Sequence, residues 1–188
     1  LASQRDTQRP DRQRQGKNVI ARGRSPDVSA LLTKLGYDHK GNARMLFSLV
    51  ERLRAKDPDM YQTFELRKRS GGMRVIHAPC QDLKLAQRRI YMRLLRSEKA
   101  HPCCRSYLRK RGPVDAARKL VGNHALLRMD LKDFFPSITE PRVAGLFRTI
   151  SSRKDWGGEK SISMIATLCC HEGRLCQGSP SSPVLSNL

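Results

Sequence analysis

The chain has 188 residues, of which 38% are hydrophobic, enough for one ordinary core with a solvated periphery. Its 37 Lys and Arg against 17 Asp and Glu leave a formal charge of +20, which points to a polyanionic partner, either nucleic acid or an anionic surface. No apolar run reaches the length of a membrane span and no secretory signal is read ahead of the first predicted helix, so the expected partner is nucleic acid and not a membrane.

Residues 1–24 are rich in Arg, Gln and Asp and carry almost no apolar side chain before Val19. Such a stretch cannot bury enough surface to offset its ordering entropy, so a disordered basic arm is expected, either touching phosphates or simply solvated. Ser25 as cap, with Pro26 and Asp27 behind it, marks a helix start, and Gly36 marks its stop. A second helix is expected over residues 42–55, where Ala43, Leu46, Phe47, Val50 and Leu53 share one face and Arg44, Glu51, Arg52 and Arg54 occupy the rest. Residues 25–60 therefore read as a helical N-terminal segment built for packing rather than chemistry.

From residue 61 to 78 the pattern changes to two short strands around Ser70-Gly71-Gly72, a hairpin. Arg67, Lys68 and Arg69 before the turn and Arg74 after it form a cluster of cations suited to gripping a triphosphate, with a solvated basic hairpin as the alternative. Leu83, Ala86, Ile90 and Leu94 predict a helix over 82–97 whose other face bears Lys84, Arg88, Arg89 and Arg93. Those cations either follow a phosphate backbone, releasing counterions as they bind, or are solvated. A further helix is expected over 113–121, stopped by Gly122, while His101 and His124 read as surface or packed histidines.

Residues 127–138, Leu-Arg-Met-Asp-Leu-Lys-Asp-Phe-Phe-Pro-Ser-Ile, look like the organising stretch. A short apolar run ends in Asp130, which reads as a strand delivering a rigid carboxylate before a sharp turn, and rigid carboxylates suit Mg²⁺. The alternative has Asp130 capping the turn that follows. Helices are expected over 140–150 and 161–170, the second with Ile162, Ile165, Ala166 and Cys169 on one face. Trp156, in the Gly-rich loop between them, either stacks on a base or packs. Six cysteines without a Cys-x-x-Cys spacing argue against zinc and disulfides and for a reduced, cytoplasmic protein. Residues 176–188, Cys-Gln-Gly-Ser-Pro-Ser-Ser-Pro-Val-Leu-Ser-Asn-Leu, read as a loop entering a helix, and a chain that begins at Leu1 and stops inside that helix reads as a piece of a longer frame.

Over residues 61–188 the chain resembles the reverse transcriptases of bacteria, the retron type most closely. In that family one motif reads Asp-Leu-Lys-Asp-Phe-Phe-Pro-Ser-Ile, as residues 130–138 do, and a later one reads Pro-Gln-Gly-Ser-Pro-x-Ser-Pro ending in Asn-Leu, which residues 177–188 match. A Leu-Lys-x-x-Gln helix followed by basic residues is matched by Leu83, Lys84, Gln87 and Arg88. Between residues 99 and 122 the chain departs from the pattern, with Ser106-Tyr107 and Asp115-Ala116 where the family tends to have Gly-Phe and Asn-Ala, which leaves the subfamily open.

The resemblance implies an α+β right-hand polymerase, with fingers over 61–125 and a partial palm over 126–188 that precedes the family's Tyr-x-Asp-Asp motif. It implies RNA-directed DNA synthesis, in which deoxynucleotides are added to a primer 3′-hydroxyl with two Mg²⁺ ions. Asp130 is then the catalytic metal ligand, with the carbonyl of Leu131 beside it, and the amides of Asp133 and Phe134 meet the triphosphate. Phe135 lies under the sugar, and Gln177 and Gly178 meet the incoming nucleotide together with Lys68 and Arg74, Arg67 being a rival for Lys68. Arg67, Arg69, Lys84, Arg88, Arg89 and Arg93 face nucleic acid. The implied partners are an RNA template, a DNA or RNA primer, deoxynucleoside triphosphates and a cognate structured non-coding RNA. With one metal carboxylate present, the 188 residues alone are expected to bind RNA and not to polymerise. A non-catalytic RNA-binding protein of the same fold is the second reading. Retron, group II intron, diversity-generating, CRISPR-linked and phage-defence enzymes share these motifs.

Overall fold

In the computed structural model the described residues are 26–69, 71–108 and 111–188, so the expected basic arm, the Ser25 cap and Ser70 of the hairpin turn lie outside them. The chain runs α1 (Pro26–Leu35), α2 (Lys40–Arg54), β1 (Tyr61–Arg67), β2 (Met73–Pro79), α3 (Gln81–Ile90), α4 (Pro113–Arg118), α5 (Glu140–Lys154), α6 (Glu159–Cys169) and α7 (Ser182–Leu185). Among the described residues β1 and β2 form the one sheet, antiparallel and in register from Tyr61↔Pro79 to Arg67↔Met73. The architecture is mixed helix and strand.

Local chemistry explains most boundaries. α1 opens at Pro26 and ends at Gly36, whose φ of 73° lets the Gly36 and Tyr37 amides turn back to the carbonyls of Thr33 and Leu32 at 3.0 and 2.7 Å. In α2 Leu46 and Val50 of the expected face are buried and Ala43, Phe47 and Leu53 half-buried, with Leu49, not among those expected, buried beside them. Leu83, Ala86 and Ile90 bury one side of α3, which then widens into a π-helical turn, Tyr91–Leu95, in which the Arg96 amide reaches the Tyr91 carbonyl at 2.8 Å. That widening keeps Leu94 and Leu95 both in the core.

The most buried helix is α6, where Ile162, Met164, Ile165, Ala166, Leu168 and Cys169 are all enclosed. It packs on α5 and is also contacted by α1, α2 and α3, so it forms the axis of the core. Trp156 is 1% exposed and meets Phe147 edge-on at 6.2 Å, which decides for packing over base stacking. Glu98 receives both Arg153, at 2.8 Å, and Lys154, tying the turn after α3 to the end of α5. Burial pushes the Glu98 carboxyl up, but the hydrogen bonds from Lys154 and Arg153 outweigh it and hold the group below its ordinary range.

Three expectations need correction. Residues 127–131 are not a strand but irregular chain, and every residue from 121 to 134 is exposed, Leu127 and Met129 by 80% and 82%. A strand needs a neighbour to take its amides and carbonyls, and no described strand lies alongside. The helix expected over 113–121 ends at Arg118 and passes into turns, with nothing buried on any of its faces to extend it. Leu188 follows a turn rather than lying within a helix, because α7 stops at Leu185.

Candidate nucleotide and nucleic-acid site

Strand alternation sorts the hairpin cations. Leu66 pairs with Arg74 and Arg67 with Met73, so Arg74 shares a face with Leu66 and Phe64 while Arg67 points to the other. Lys68 continues the Leu66 parity and starts the turn, its amide donating to the Gly72 carbonyl at 3.0 Å and its carbonyl accepting from Gly71 at 3.1 Å. Arg67, Lys68, Arg69 and Arg74 are all exposed.

The inner end of β2 is fastened to the loop that carries Gln177 and Gly178. The His77 amide donates to the Gln177 carbonyl at 2.8 Å. Gly178 has φ +112°, and a Cβ there would lie 2.6 Å from the His77 carbonyl oxygen and 3.0 Å from Ile76 Cγ2. The close approach that requires glycine here is thus to β2 itself. Cys176, just before, is buried with its thiol 3.9 Å from the same His77 carbonyl, and burial pushes that thiol up to about 11.

The same loop is tied to the end of the Asp130 stretch. Residues His171 and Arg174 face each other across a tight turn at Glu172-Gly173, and Thr139 pairs with Arg174. The Leu175 amide donates to Ile138, the Glu140 amide donates to Gly173, and the Arg174 guanidinium donates to the Pro136 carbonyl, at 2.9, 2.7 and 2.9 Å. Backbone bonds at residues 138–140, with the Arg174 side chain on Pro136, therefore join that segment to residues 173–178, and the bond between His77 and Gln177 joins these to β2.

Residues 132–137 wind into a turn in which the Ser137 amide reaches the Asp133 carbonyl at 2.9 Å and the Ser137 hydroxyl reaches the Phe134 carbonyl at 2.7 Å. Asp133 has φ 49°. Phe135 is half-buried between Phe134 and Tyr107, at centroid distances of 5.6 and 6.3 Å, while Phe134 is exposed. Asp130 and Leu131 precede this anchored turn and are exposed. The structure thus brings Phe135, Gln177, Gly178 and the root of the cationic hairpin onto one connected frame, with Asp130 and Leu131 on an unpacked lead-in.

Of the cations on α3 and its extension, Arg88 and Arg93 are exposed and Lys84 is half-buried. Arg89 is already engaged: its guanidinium lies 4.4 Å over the Tyr37 ring and donates to the Gly36 carbonyl at 3.3 Å. It holds α3 to the end of α1 as well as lying on the basic face.

The sequence motifs include Gln87 and Ser179 but give neither a part in the buried polar contacts behind the loop. Gln87 is wholly enclosed; its amide nitrogen donates to the Tyr61 hydroxyl at 3.2 Å and the Leu168 carbonyl at 2.9 Å, and its oxygen accepts from Ser179 at 2.9 Å. The signal was present, since Gln87 falls four after Leu83 and three before Ile90, an amide on an apolar stripe. Nearby, the His171 ring lies tilted against Tyr61 and His77, at centroid distances of 4.2 and 4.6 Å, and burial, with His77 adding to it, pushes the His171 imidazole below its ordinary value. His77 also meets the Thr63 hydroxyl at 3.0 Å.

Comparison with known proteins adds relatives. The chain is 34% identical over 140 residues to the Retron Mx65 reverse transcriptase of Myxococcus xanthus, a match covering 68% of this chain and 33% of that protein. It is 33% identical over 117 residues to the Retron Ec86 reverse transcriptase of Escherichia coli, covering 62% and 35%. With the Retron Mx162 reverse transcriptase of Myxococcus xanthus the identity is 30% over 142 residues, covering 68% and 29%. The chain belongs with the retron-type reverse transcriptases of bacteria. It spans about a third of the length of the curated relatives it matches. No family model matches it.

In this retron-type chain the donors at the Asp130 stretch are a carboxylate and adjacent carbonyls, hard oxygen atoms of the kind Mg²⁺ takes. Among the described residues no three His, Cys, Asp or Glu side chains gather around a common point. No described helix is long and apolar enough to cross a membrane.

Proposed function

We propose that this retron-type chain supplies the nucleotide-binding frame of an RNA-directed DNA polymerase, with fingers over 61–125 and the first part of a palm from 126. The observation that carries the reading is the set of backbone bonds joining residues 138–140 to residues 173–178 and these to β2, because, with the Ile138 amide on the Phe135 carbonyl, it ties a sugar-sized aromatic, an amide-bearing loop and the root of a cationic hairpin together. Lys68 and Arg74, by their shared strand parity, meet the triphosphate, and the amides of Asp133 and Phe134 meet its oxygens. Gln177 contacts the incoming nucleotide, and Phe135 fills the volume that a 2′-hydroxyl would need. Arg67 and Arg69 on the hairpin, and Lys84, Arg88 and Arg93 with Arg89 on α3 and its extension, attract the template and primer phosphates.

In the reaction the primer 3′-oxygen bonds to the α-phosphorus as the bond to pyrophosphate breaks. Asp130 and the Leu131 carbonyl would hold Mg²⁺, which supplies activation of the hydroxyl and stabilisation of the leaving charge. Asp130 would give that chemistry a single carboxylate, so the 188 residues by themselves are expected to bind RNA without extending a primer. The partners are an RNA template, a primer, deoxynucleoside triphosphates and a structured non-coding RNA.

The test is primer extension on an RNA template by the native protein containing this sequence, before and after Asp130→Asn, with RNA binding measured alongside. Loss of synthesis with RNA affinity retained supports the reading. Absence of templated synthesis by the unaltered protein would leave the RNA-binding reading in its place.

A further inference from the structure

The buried amide of Gln87 has a fixed orientation. Its nitrogen faces the Leu168 carbonyl at 2.9 Å, and turning the amide over would set two carbonyl oxygens against each other in a dry core. With the nitrogen's two hydrogens on Leu168 and the Tyr61 hydroxyl, the Gln87 oxygen must take its bond from Ser179. Ser179 thereby spends its only proton, so in its 3.0 Å contact with Ser181 it accepts. The bonds run in one direction, from Ser181 through Ser179 to Gln87 and on to Tyr61, and Ser179 and Ser181 are 4% and 0% exposed. Such chains strengthen one another and are costly to leave half made.

What this network holds is the loop one residue upstream. Gly178 is pressed against the His77 carbonyl and Gln177 accepts from the His77 amide, so the loop sits where Ser179 allows on one side and β2 allows on the other. Gln87 and Tyr61 lie on elements flanking β2, and Leu168 lies on α6. One side chain thus references the loop to both the hairpin and the core helix. We propose that Gln87 is a positioning residue for the incoming nucleotide, acting through Ser179 to set the placement of Gln177 and Gly178 against β2. This rests on the reading of Gln177 and Gly178 as nucleotide-binding.

The test uses the native protein and four variants: Gln87→Met, which keeps the volume and removes the amide; Ser179→Ala, which removes the donor to Gln87 along with the acceptor for Ser181; the two combined; and Ile150→Val, a buried change on α5 outside the network, as the control. Two readouts are taken, KM and kcat for deoxynucleotide in primer extension and hydrogen exchange at the His77 amide. Gln87→Met and Ser179→Ala should each raise KM by roughly 3- to 10-fold, the effect of one buried hydrogen bond, with kcat little changed and RNA affinity unchanged. The double variant should be no worse than the more affected single, because both remove one connection. His77 exchange should speed up in these three and stay slow in Ile150→Val. Additive effects, an unchanged KM, or an equal rise in Ile150→Val would overturn the positioning role. The exchange measurement needs no synthesis, so slow His77 exchange in Ser179→Ala and Gln87→Met overturns it even if the protein extends no primer, whereas faster exchange without any synthesis in the unaltered protein would retain the link to the loop and remove the nucleotide.

Discussion

Gly178→Ala should be among the most damaging small substitutions in the chain. The new methyl would stand 2.6 Å from the His77 carbonyl oxygen and 3.0 Å from its carbon, and both are backbone atoms that cannot rotate aside. The backbone φ of +112° is itself a conformation that residues with a side chain rarely adopt. Overpacking costs about 1–3 kcal/mol and the strained backbone about 1–3 more, and relief by moving the loop would sacrifice the His77 to Gln177 bond, about 0.5–1.5 kcal/mol. A loss near 3 kcal/mol, with a urea slope of about 2 kcal/mol/M, lowers the unfolding midpoint by roughly 1.5 M. Gly173→Ala is the control, since φ there is +75° but a Cβ would meet nothing within 4 Å, so it carries strain without collision. Urea denaturation of both variants followed by circular dichroism separates the two terms. If Gly178→Ala shifts the midpoint no further than Gly173→Ala does, the collision with β2 is not what demands glycine, and the account of the loop seat is wrong.

Other outcomes follow from single features. Phe135→Val should raise ribonucleotide incorporation relative to deoxyribonucleotide in primer extension, and unchanged discrimination would reduce Phe135 to packing between Phe134 and Tyr107. Trp156→Ala should cost about 3–5 kcal/mol in chemical denaturation, as a fully buried aromatic does, with any effect on RNA binding explained by lost folding. The lowered Glu98 carboxyl contributes stability that is present above the ordinary Glu value of about 4.3 and is lost as pH falls through its lower folded value; Glu98→Gln should flatten that part of an acid-unfolding profile. RNA binding should weaken linearly on a log-log salt plot, and Arg88→Ala with Arg93→Ala should reduce that slope by about 2 if each contacts one phosphate.

The helices were legible because their signals are local. Pro26 and Gly36 bracket α1, the 3.6-residue stripe of Leu83, Ala86 and Ile90 marks α3, and the hairpin turn announces itself by paired glycines. The lead-in to Asp130 misled because β structure depends on a neighbour: Leu127, Met129 and Leu131 alternate as a strand would, yet no described strand accepts them. The role of Gly178 was half visible. Glycine implies a close approach, but only the fold reveals that the neighbour is the His77 carbonyl, about a hundred residues earlier in the chain. The Ser179, Gln87 and Tyr61 network was hidden for the same reason, since each residue alone reads as an ordinary polar side chain and their meeting is long-range.

The thiols offer a way to watch the loop seat open. Cys103 is exposed, whereas Cys169, Cys170 and Cys176 are buried, and burial lifts their thiols away from the reactive thiolate form. An alkylating reagent should therefore consume Cys103 at once and reach Cys176 only when the loop leaves β2. With Cys103 and the half-buried Cys80 and Cys104 replaced by Ser, the slow rate of labelling at Cys176 becomes a clock for that departure, read site by site by mass spectrometry. A nucleotide that clamps the loop would slow the clock, and a variant that loosens it would speed it up.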